Sequence, residues 1–113
     1  MGDNPVVHSP TEVLAADLPA GATLLDVREQ GEWDAGHVDG SVHVPMSEIQ
    51  GRLADVPDGD LVVVCRSGHR SAQVAAWLAG QGRSAVNLAG GLQRWVEEGR
   101  PLVAAGGGPG QVG

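Results

Sequence analysis

The chain has 113 residues and a formal net charge of −7, and all seven of its basic residues are arginine. This length predicts a single domain with one core. An acidic chain without a run of basic residues argues against nucleic acid binding. The single cysteine excludes an internal disulfide and a zinc site built from several cysteines.

No apolar run approaches the roughly 20 residues that span a bilayer, and residues 1–13 lack the pattern of a secretory signal. We therefore expect a cytoplasmic protein that does not act at a membrane and whose lone thiol stays reduced. The scattered histidines show no metal-ligand spacing. Nothing indicates a large exposed apolar surface, so a monomer is expected, although the sequence leaves the oligomeric state open.

The first half of the chain predicts short elements separated by turns. Ser9-Pro10-Thr11-Glu12 has the pattern of a helix start, with a serine cap, a proline at the first helical position and a glutamate that completes a capping box. Val13, Leu14 and Leu18 would form the apolar face of this helix. The next elements are expected in the following order: a strand at residues 23–27, a helical turn at 30–35, a strand at 41–44, and a helix at 47–53 capped by Ser47.

The second half begins with the strongest strand signal, because residues 61–64 are all apolar and include three valines. This composition indicates a strand buried on both faces, as in a parallel sheet. The later elements are expected as follows: a helix at residues 71–79, a strand at 84–88, and a helix at 92–98 that follows Gly90-Gly91. The alternation predicts one α/β domain over residues 1–103, with a central, mostly parallel sheet flanked by helices on both faces. Residues 104–113 are rich in glycine and lack apolar periodicity, so we expect a flexible tail.

The sequence CRSGHRS, residues 65–71, directly follows this strand. Ligands of open α/β sheets bind beyond the carboxyl ends of the strands, which is where Cys65 lies. Gly68 permits a tight loop whose backbone N–H groups, together with the dipole of the next helix, can hold an anion. Arg66 and Arg70 add positive charge, so the cysteine should have a lowered pKa. A lone cysteine after an apolar strand is often only a buried small residue, but the polar residues that follow favour a nucleophile beside an anion cradle.

Residues 65–71 resemble the active-site loop of the rhodanese family of sulfurtransferases. The upstream stretch LLDVREQGEWDAGHVDGSVHVP is similar to the family's segment before that loop, and NLAGGLQRW, residues 87–95, is similar to the segment after it. Val38 stands where isoleucine is common in the family, and His43 stands where asparagine is common. The resemblance covers nearly the whole chain except the tail, and three motifs in the right order make it specific.

The resemblance implies a sulfurtransferase in which Cys65 takes the outer sulfur of thiosulfate or of a persulfide donor and holds it as a persulfide. A thiol, a protein thiol or cyanide then removes that sulfur, in a two-step reaction that needs no metal and no organic cofactor. The resemblance also implies that the loop binds the donor anion and the departing group. Its expected substrate-binding residues are Arg66, Ser67, Gly68, His69 and Arg70.

Two other classes of function stay open on the sequence. The chain could be a persulfide carrier or a protein-binding module of this fold, although such modules typically lack the cysteine. It could also be a phosphatase or an arsenate reductase. Those relatives use a longer loop than the four residues between Cys65 and Arg70, and many arsenate reductases need a second thiol.

Several polar residues elsewhere have both a functional and a structural interpretation. Asp26, Arg28 and Glu32 lie near the end of an earlier predicted strand. A carboxylate among them could position Arg70, but we favour a structural role for all three. His37 could act as a general acid, but we favour a histidine that bonds backbone groups within a turn.

Overall fold

The computed structural model describes residues 12–113, which are built around one parallel sheet. The five strands are β1 (Glu12–Val13), β2 (Thr23–Asp26), β3 (Val42–His43), β4 (Asp60–Val64) and β5 (Ser84–Leu88). Between and after them lie the helices α1 (Gln30–Ala35), α2 (His69–Gly80) and α3 (Gly91–Glu97), and the 3-10 segments Ala15–Asp17 and Ile49–Asp55. The strands are ordered β1-β5-β4-β2-β3, and each neighbouring pair runs parallel. The predicted α/β fold with a parallel sheet is confirmed.

The central strand β4 supplies side chains to both faces of the sheet, because successive side chains along a strand point to opposite faces. Leu61 and Val63 pack in a core cluster with residues of α2, whereas Val62 and Val64 pack in a second cluster with residues of α3. All four side chains are at most 1% exposed. Helices therefore cover both faces of the sheet, as predicted.

The helix start predicted at residues 9–12 is wrong for the part that the structure describes. Glu12–Val13 form strand β1, in register with Asn87 and Leu88 of β5, and residues 9–11 lie outside the described part of the chain. A capping motif is a local signal, whereas the edge of β5 offers backbone hydrogen-bond partners only in the assembled sheet. Tertiary pairing therefore overrides the local preference at this position.

The helix predicted at residues 47–53 is also corrected. This stretch forms the kinked 3-10 segment Ile49–Asp55, and Ser47 does not cap it. The Ser47 hydroxyl instead donates a hydrogen bond to the carboxylate of Glu29 at 3.0 Å. Gly51 inside the segment lowers its helix propensity, which favours a short and irregular helical turn.

The other predicted helices and strands agree with the structure to within two residues at each end. Helix α2 begins at His69, two residues before the predicted start, because Gly68 provides its N-cap. None of the helices within residues 12–113 has both the length and the apolar character that crossing a membrane would require.

Residues 104–113 lie against the C-terminal end of α1. The N–H of Ala105 donates to the carbonyl of Asp34 at 3.0 Å, and the N–H of Gln111 donates to the carbonyl of Ala35 at 2.9 Å. The side chain of Val112 packs against the second core cluster. These contacts give the glycine-rich segment a defined place on the fold, while its flexibility stays a prediction.

Candidate active site

Cys65 lies immediately after β4, at the carboxyl edge of the sheet. Its side chain belongs to the core cluster on the α2 side of the sheet, and the residue is 1% exposed. The strand therefore places the only thiol of the chain at the edge where the sequence predicts ligand binding.

The loop after Cys65 wraps its backbone around the sulfur. Gly68 has a φ of +104°, a conformation that favours glycine, and it directly precedes α2. This turn points the first N–H groups of the helix at the thiol. The Sγ of Cys65 accepts hydrogen bonds from the Gly68 N–H at 3.1 Å, the Ser71 N–H at 3.4 Å and the Ser71 hydroxyl at 3.2 Å.

These donors determine the ionisation of the thiol. Burial alone would raise the pKa of Cys65, because it disfavours the charged sulfur. Hydrogen bonds from the Ser71 hydroxyl and from the N–H groups of Ser71, Gly68 and Ser67 outweigh burial, so the pKa of Cys65 lies below its usual value of 9.0. The lowered pKa expected from the sequence is therefore present, and its main favourable cause is a side chain that the sequence did not single out.

Helix α3 holds the same loop from the other side. The N–H of Leu92 donates to the carbonyl of Cys65, and the N–H of Gln93 donates to the carbonyl of Arg66, both at 2.9 Å. Gly91 has a φ of +61°, and a Cβ at this position would lie 2.5 Å from the Arg66 carbonyl oxygen. Gly91 thus permits a close approach between α3 and the loop.

The two arginines of the loop differ in their surroundings. Arg70 forms a two-point ion pair with Glu32 of α1, with Nη1–Oε1 and Nη2–Oε2 distances of 2.7 and 2.9 Å. Hydrogen bonding to Arg70 lowers the pKa of Glu32 to about 2, although burial acts in the opposite direction. Arg66 is exposed, and it has no ion-pair partner among residues 12–113. The sequence had favoured a structural role for Glu32, but its carboxylate restrains an arginine of the loop.

The other residues with two interpretations have structural contacts. Asp26 and Arg28 are both fully buried and pair with each other at 2.8 Å, and Arg28 also donates to the carbonyl of Gly36. The Nδ1 of His37 lies 2.9 Å from the carbonyl oxygen of Trp33, and the two rings are stacked 3.6 Å apart. Asp26, Arg28 and His37 thus support the chain around α1, as the sequence analysis favoured.

Comparison with known proteins agrees with this geometry. A family model described as a rhodanese-like domain matches residues 9–98. The chain belongs to the rhodanese family. It is 41% identical over 83 residues to a sulfurtransferase of Allochromatium vinosum, covering 72% of this chain and 78% of that protein.

Two further relatives of the rhodanese family show the same relationship. The chain is 40% identical over 89 residues to the thiosulfate sulfurtransferase GlpE of Pseudomonas syringae, covering 76% of this chain and 83% of that protein. It is also similar to the crystal structure of a rhodanese-related protein from Thermoplasma volcanium, with a TM-score of 0.77 and 36% identity over 81% of this chain and 96% of the other. Sulfur transfer is therefore supported for this chain at the level of its family.

Two residues of this rhodanese domain that touch the thiol network were not predicted as site residues. Ser71 was expected at the start of a helix and Asn87 within a strand, and both stand in motifs that resemble the family, but neither was assigned a role in the site. Asn87 is 2% exposed, and its Oδ1 accepts a hydrogen bond from the Ser71 hydroxyl at 2.5 Å. A polar side chain inside an otherwise apolar strand is the signal that could have identified Asn87, because buried polar groups need specific partners.

The predicted substrate-binding residues of the rhodanese loop take different positions. The N–H of Gly68 points at the sulfur, whereas Arg66, Ser67 and His69 are exposed and Arg70 is partly buried. The Nδ1 of His69 lies 3.3 Å from the Ser67 hydroxyl, so these two side chains contact each other.

Proposed function

We propose that this chain is a sulfurtransferase that moves a sulfane sulfur from thiosulfate or a persulfide donor to a thiol or to cyanide through a persulfide on Cys65. The observation that carries the proposal is the set of hydrogen-bond donors around the Cys65 sulfur, three of which lie at 3.1 to 3.4 Å. Donors that favour the thiolate make a cysteine nucleophilic near neutral pH. The family relationship supports the same chemistry.

In the first step, the Cys65 thiolate attacks the outer sulfur of thiosulfate. A new S–S bond forms, the S–S bond of thiosulfate breaks, and sulfite departs with the electron pair of that bond. Cys65 then carries a persulfide whose negative charge lies on the outer sulfur. In the second step, a thiolate or cyanide attacks that outer sulfur, and the Cys65 thiolate is the leaving group. The cysteine returns to its starting state, so the two half-reactions form a ping-pong cycle.

The loop residues divide these tasks between them. The N–H of Gly68 and the start of α2 face the sulfur, where they stabilise negative charge. Arg66 is exposed and attracts the anionic donor, because its charge is not paired with a carboxylate among the described residues. Arg70 contributes positive charge for binding the donor anion, from a position that its ion pair with Glu32 fixes. Ser67 and His69 lie on the exposed side of the loop, where they can contact the incoming donor.

The short loop favours sulfur transfer over phosphatase or arsenate reductase activity. A phosphate is larger than a single sulfane sulfur and needs a wider cradle than the four residues between Cys65 and Arg70. We also propose that the protein acts as a monomer. Its free thiol suits a reducing compartment such as the cytoplasm, because a reducing compartment keeps the cysteine from forming disulfides.

The experiment is intact-protein mass spectrometry of the full chain before and after incubation with thiosulfate, followed by cyanide. We expect a gain of one sulfur that cyanide removes, and no gain in Cys65→Ser, whose fold is checked by circular dichroism. Loading of the C65S variant would refute Cys65 as the nucleophile. Failure of thiosulfate and of a glutathione persulfide donor to load the wild-type chain would refute the proposed function and favour a protein-binding module.

A further inference from the structure

The Ser71 hydroxyl lies between two acceptors and has only one proton to donate. Its oxygen is 3.2 Å from the Sγ of Cys65 and 2.5 Å from the Oδ1 of Asn87. Ser71 is fully buried and Asn87 is 2% exposed. One hydroxyl proton cannot form a full-strength hydrogen bond to both acceptors, so the sulfur and the amide oxygen compete for it.

The orientation of the Asn87 amide follows from its other contacts. Its Nδ2 lies 3.1 Å from the carbonyl oxygen of Gly68 and 3.1 Å from the Oε2 of Glu12. Both of these partners are acceptors, so a reversed amide would place an oxygen against two oxygens. The Oδ1 of Asn87 therefore faces Ser71, and β1 and the cysteine loop together hold it there.

We propose that Asn87 is a positioning residue that accepts the Ser71 hydroxyl while Cys65 is a thiol or a persulfide, and releases it to the sulfur when negative charge develops on Sγ. This inference rests on the proposed function and identifies how its nucleophile is controlled. The hydroxyl rotates and keeps its proton, so no bond to hydrogen is broken.

The proposal follows from where charge lies during the reaction. Sγ is negatively charged when it attacks the donor and again when it departs from the persulfide, but in the persulfide itself the charge lies on the outer sulfur. A hydrogen bond to a charged acceptor is roughly twice as strong as one to a neutral acceptor. The Ser71 hydroxyl therefore favours Sγ in the charged states and the Asn87 oxygen in the others, where a buried hydroxyl would otherwise lack a partner. Such an arrangement favours the thiolate over the thiol before the first step, and it stabilises the charge that develops on Sγ in the second step, where Cys65 is the leaving group.

Arg70 interacts electrostatically with Cys65 and is itself paired with Glu32 of α1. The other ionisable groups on the elements around the thiol network are Arg66 and His69 of the loop and α2, the paired Asp26 and Arg28 at the end of β2, and Glu12 of β1, which contacts Asn87. All of these groups are unchanged in the variants below. A double-mutant cycle therefore isolates the coupling between Ser71 and Asn87.

The experiment measures the pKa of Cys65 in the full chain from the ultraviolet absorbance of the thiolate. The cycle contains the wild type, Ser71→Ala, Asn87→Leu and the double variant. We expect S71A to raise the pKa of Cys65 by about one unit, because a donor to the thiolate is lost. We expect N87L to lower this pKa when Ser71 is present, because the hydroxyl is then donated to sulfur alone, and not to lower it when residue 71 is alanine. An N87L shift of the same size and sign in both backgrounds would overturn the proposal.

Asn87→Ala provides a second arm, because alanine also removes the acceptor for Ser71 and places no larger apolar side chain in the buried site. In the N87A chain, S71A should raise the pKa of Cys65 more than it does in the wild type, since the hydroxyl is then donated to sulfur alone. An equal or smaller effect of S71A in the N87A chain would also overturn the proposal. The titration uses no sulfur donor, so it is independent of persulfide formation: a missing mass gain refutes the proposed function, and an additive cycle refutes the role of Asn87.

Discussion

The ion pair between Glu32 and Arg70 should make the stability of the fold depend on acid pH. The pKa of Glu32 falls from 4.5 to about 2 because Arg70 donates two hydrogen bonds to its carboxylate. A shift of roughly 2.5 units corresponds to about 3 kcal/mol at 1.36 kcal/mol per unit. The two side chains are 23% and 35% exposed, so solvent screening reduces the expected contribution to about 1–2 kcal/mol.

The sign of this effect follows from the lowered pKa. The folded state binds a proton at Glu32 less readily than the unfolded state, so the stabilisation is fully present above the unfolded value of 4.5. It is lost as the pH falls through the folded value of about 2. Replacing Glu32 by glutamine should therefore lower the free energy of unfolding near neutral pH and have little effect at the acid limit.

Urea unfolding of the full chain over a series of pH values measures this difference. The matched control is Glu48→Gln, because Glu48 pairs with Arg52 at 2.9 Å but is 53% exposed, so its loss should change stability by much less than the loss of Glu32. A gap between wild type and E32Q that stays constant from neutral to acid pH would refute the reasoning. A loss in E48Q as large as that in E32Q would also refute it.

Three further substitutions test other parts of the site and its support. Arg66→Ala should lower kcat/KM for thiosulfate about tenfold and weaken the dependence of kcat/KM on salt concentration. Steady-state kinetics at several ionic strengths measure both effects, and a salt dependence equal to that of the wild type would contradict a role for Arg66 in attracting the donor. Gly91→Ala should destabilise the fold by about 1–3 kcal/mol more than Gly99→Ala. Both glycines have a positive φ, but only at Gly91 would a Cβ meet the cysteine loop, so equal losses of stability in urea unfolding would contradict the importance of this contact. Asp26→Ala should cost about 3–5 kcal/mol, because it leaves the charge of Arg28 buried without its carboxylate, and a thermal unfolding midpoint close to that of the wild type would contradict this estimate.

The sequence was most informative where a local pattern coincides with the tertiary environment. Residues 61–64 are apolar because β4 is buried on both faces, so composition alone identifies the strand. Helix α1 has the bounds that were predicted, and its Glu29 and Glu32 form a capping box that depends only on neighbouring residues. The cysteine loop was found for the same reason, because its glycine and arginines follow the strand directly.

The sequence was least informative where a contact joins distant segments. Glu12 is the last residue of a helix-start motif and Val13 follows it, but both pair with a strand that lies more than seventy residues later in the chain. Glu32 and Arg70 are 38 residues apart, and the sequence offered a carboxylate partner for Arg70 only as the less favoured alternative, because no local pattern distinguishes Glu32 from Asp26 in that role. The link from Asn87 to Ser71 likewise depends on the packing of α2 against β5, which a single sequence does not specify.

The hydrogen bonds around the thiol have a consequence for the newly made chain. They begin at Cys65 and end at the contact between Asn87 and Glu12, which are 75 residues apart in sequence. These groups meet only after β1, β4, β5 and α2 have assembled, so an unfolded chain carries an ordinary thiol that is mostly protonated at neutral pH. The lowered pKa of Cys65 is thereby a property of the completed native state, and we expect a nascent or unfolded chain to react more slowly with sulfur donors until it folds.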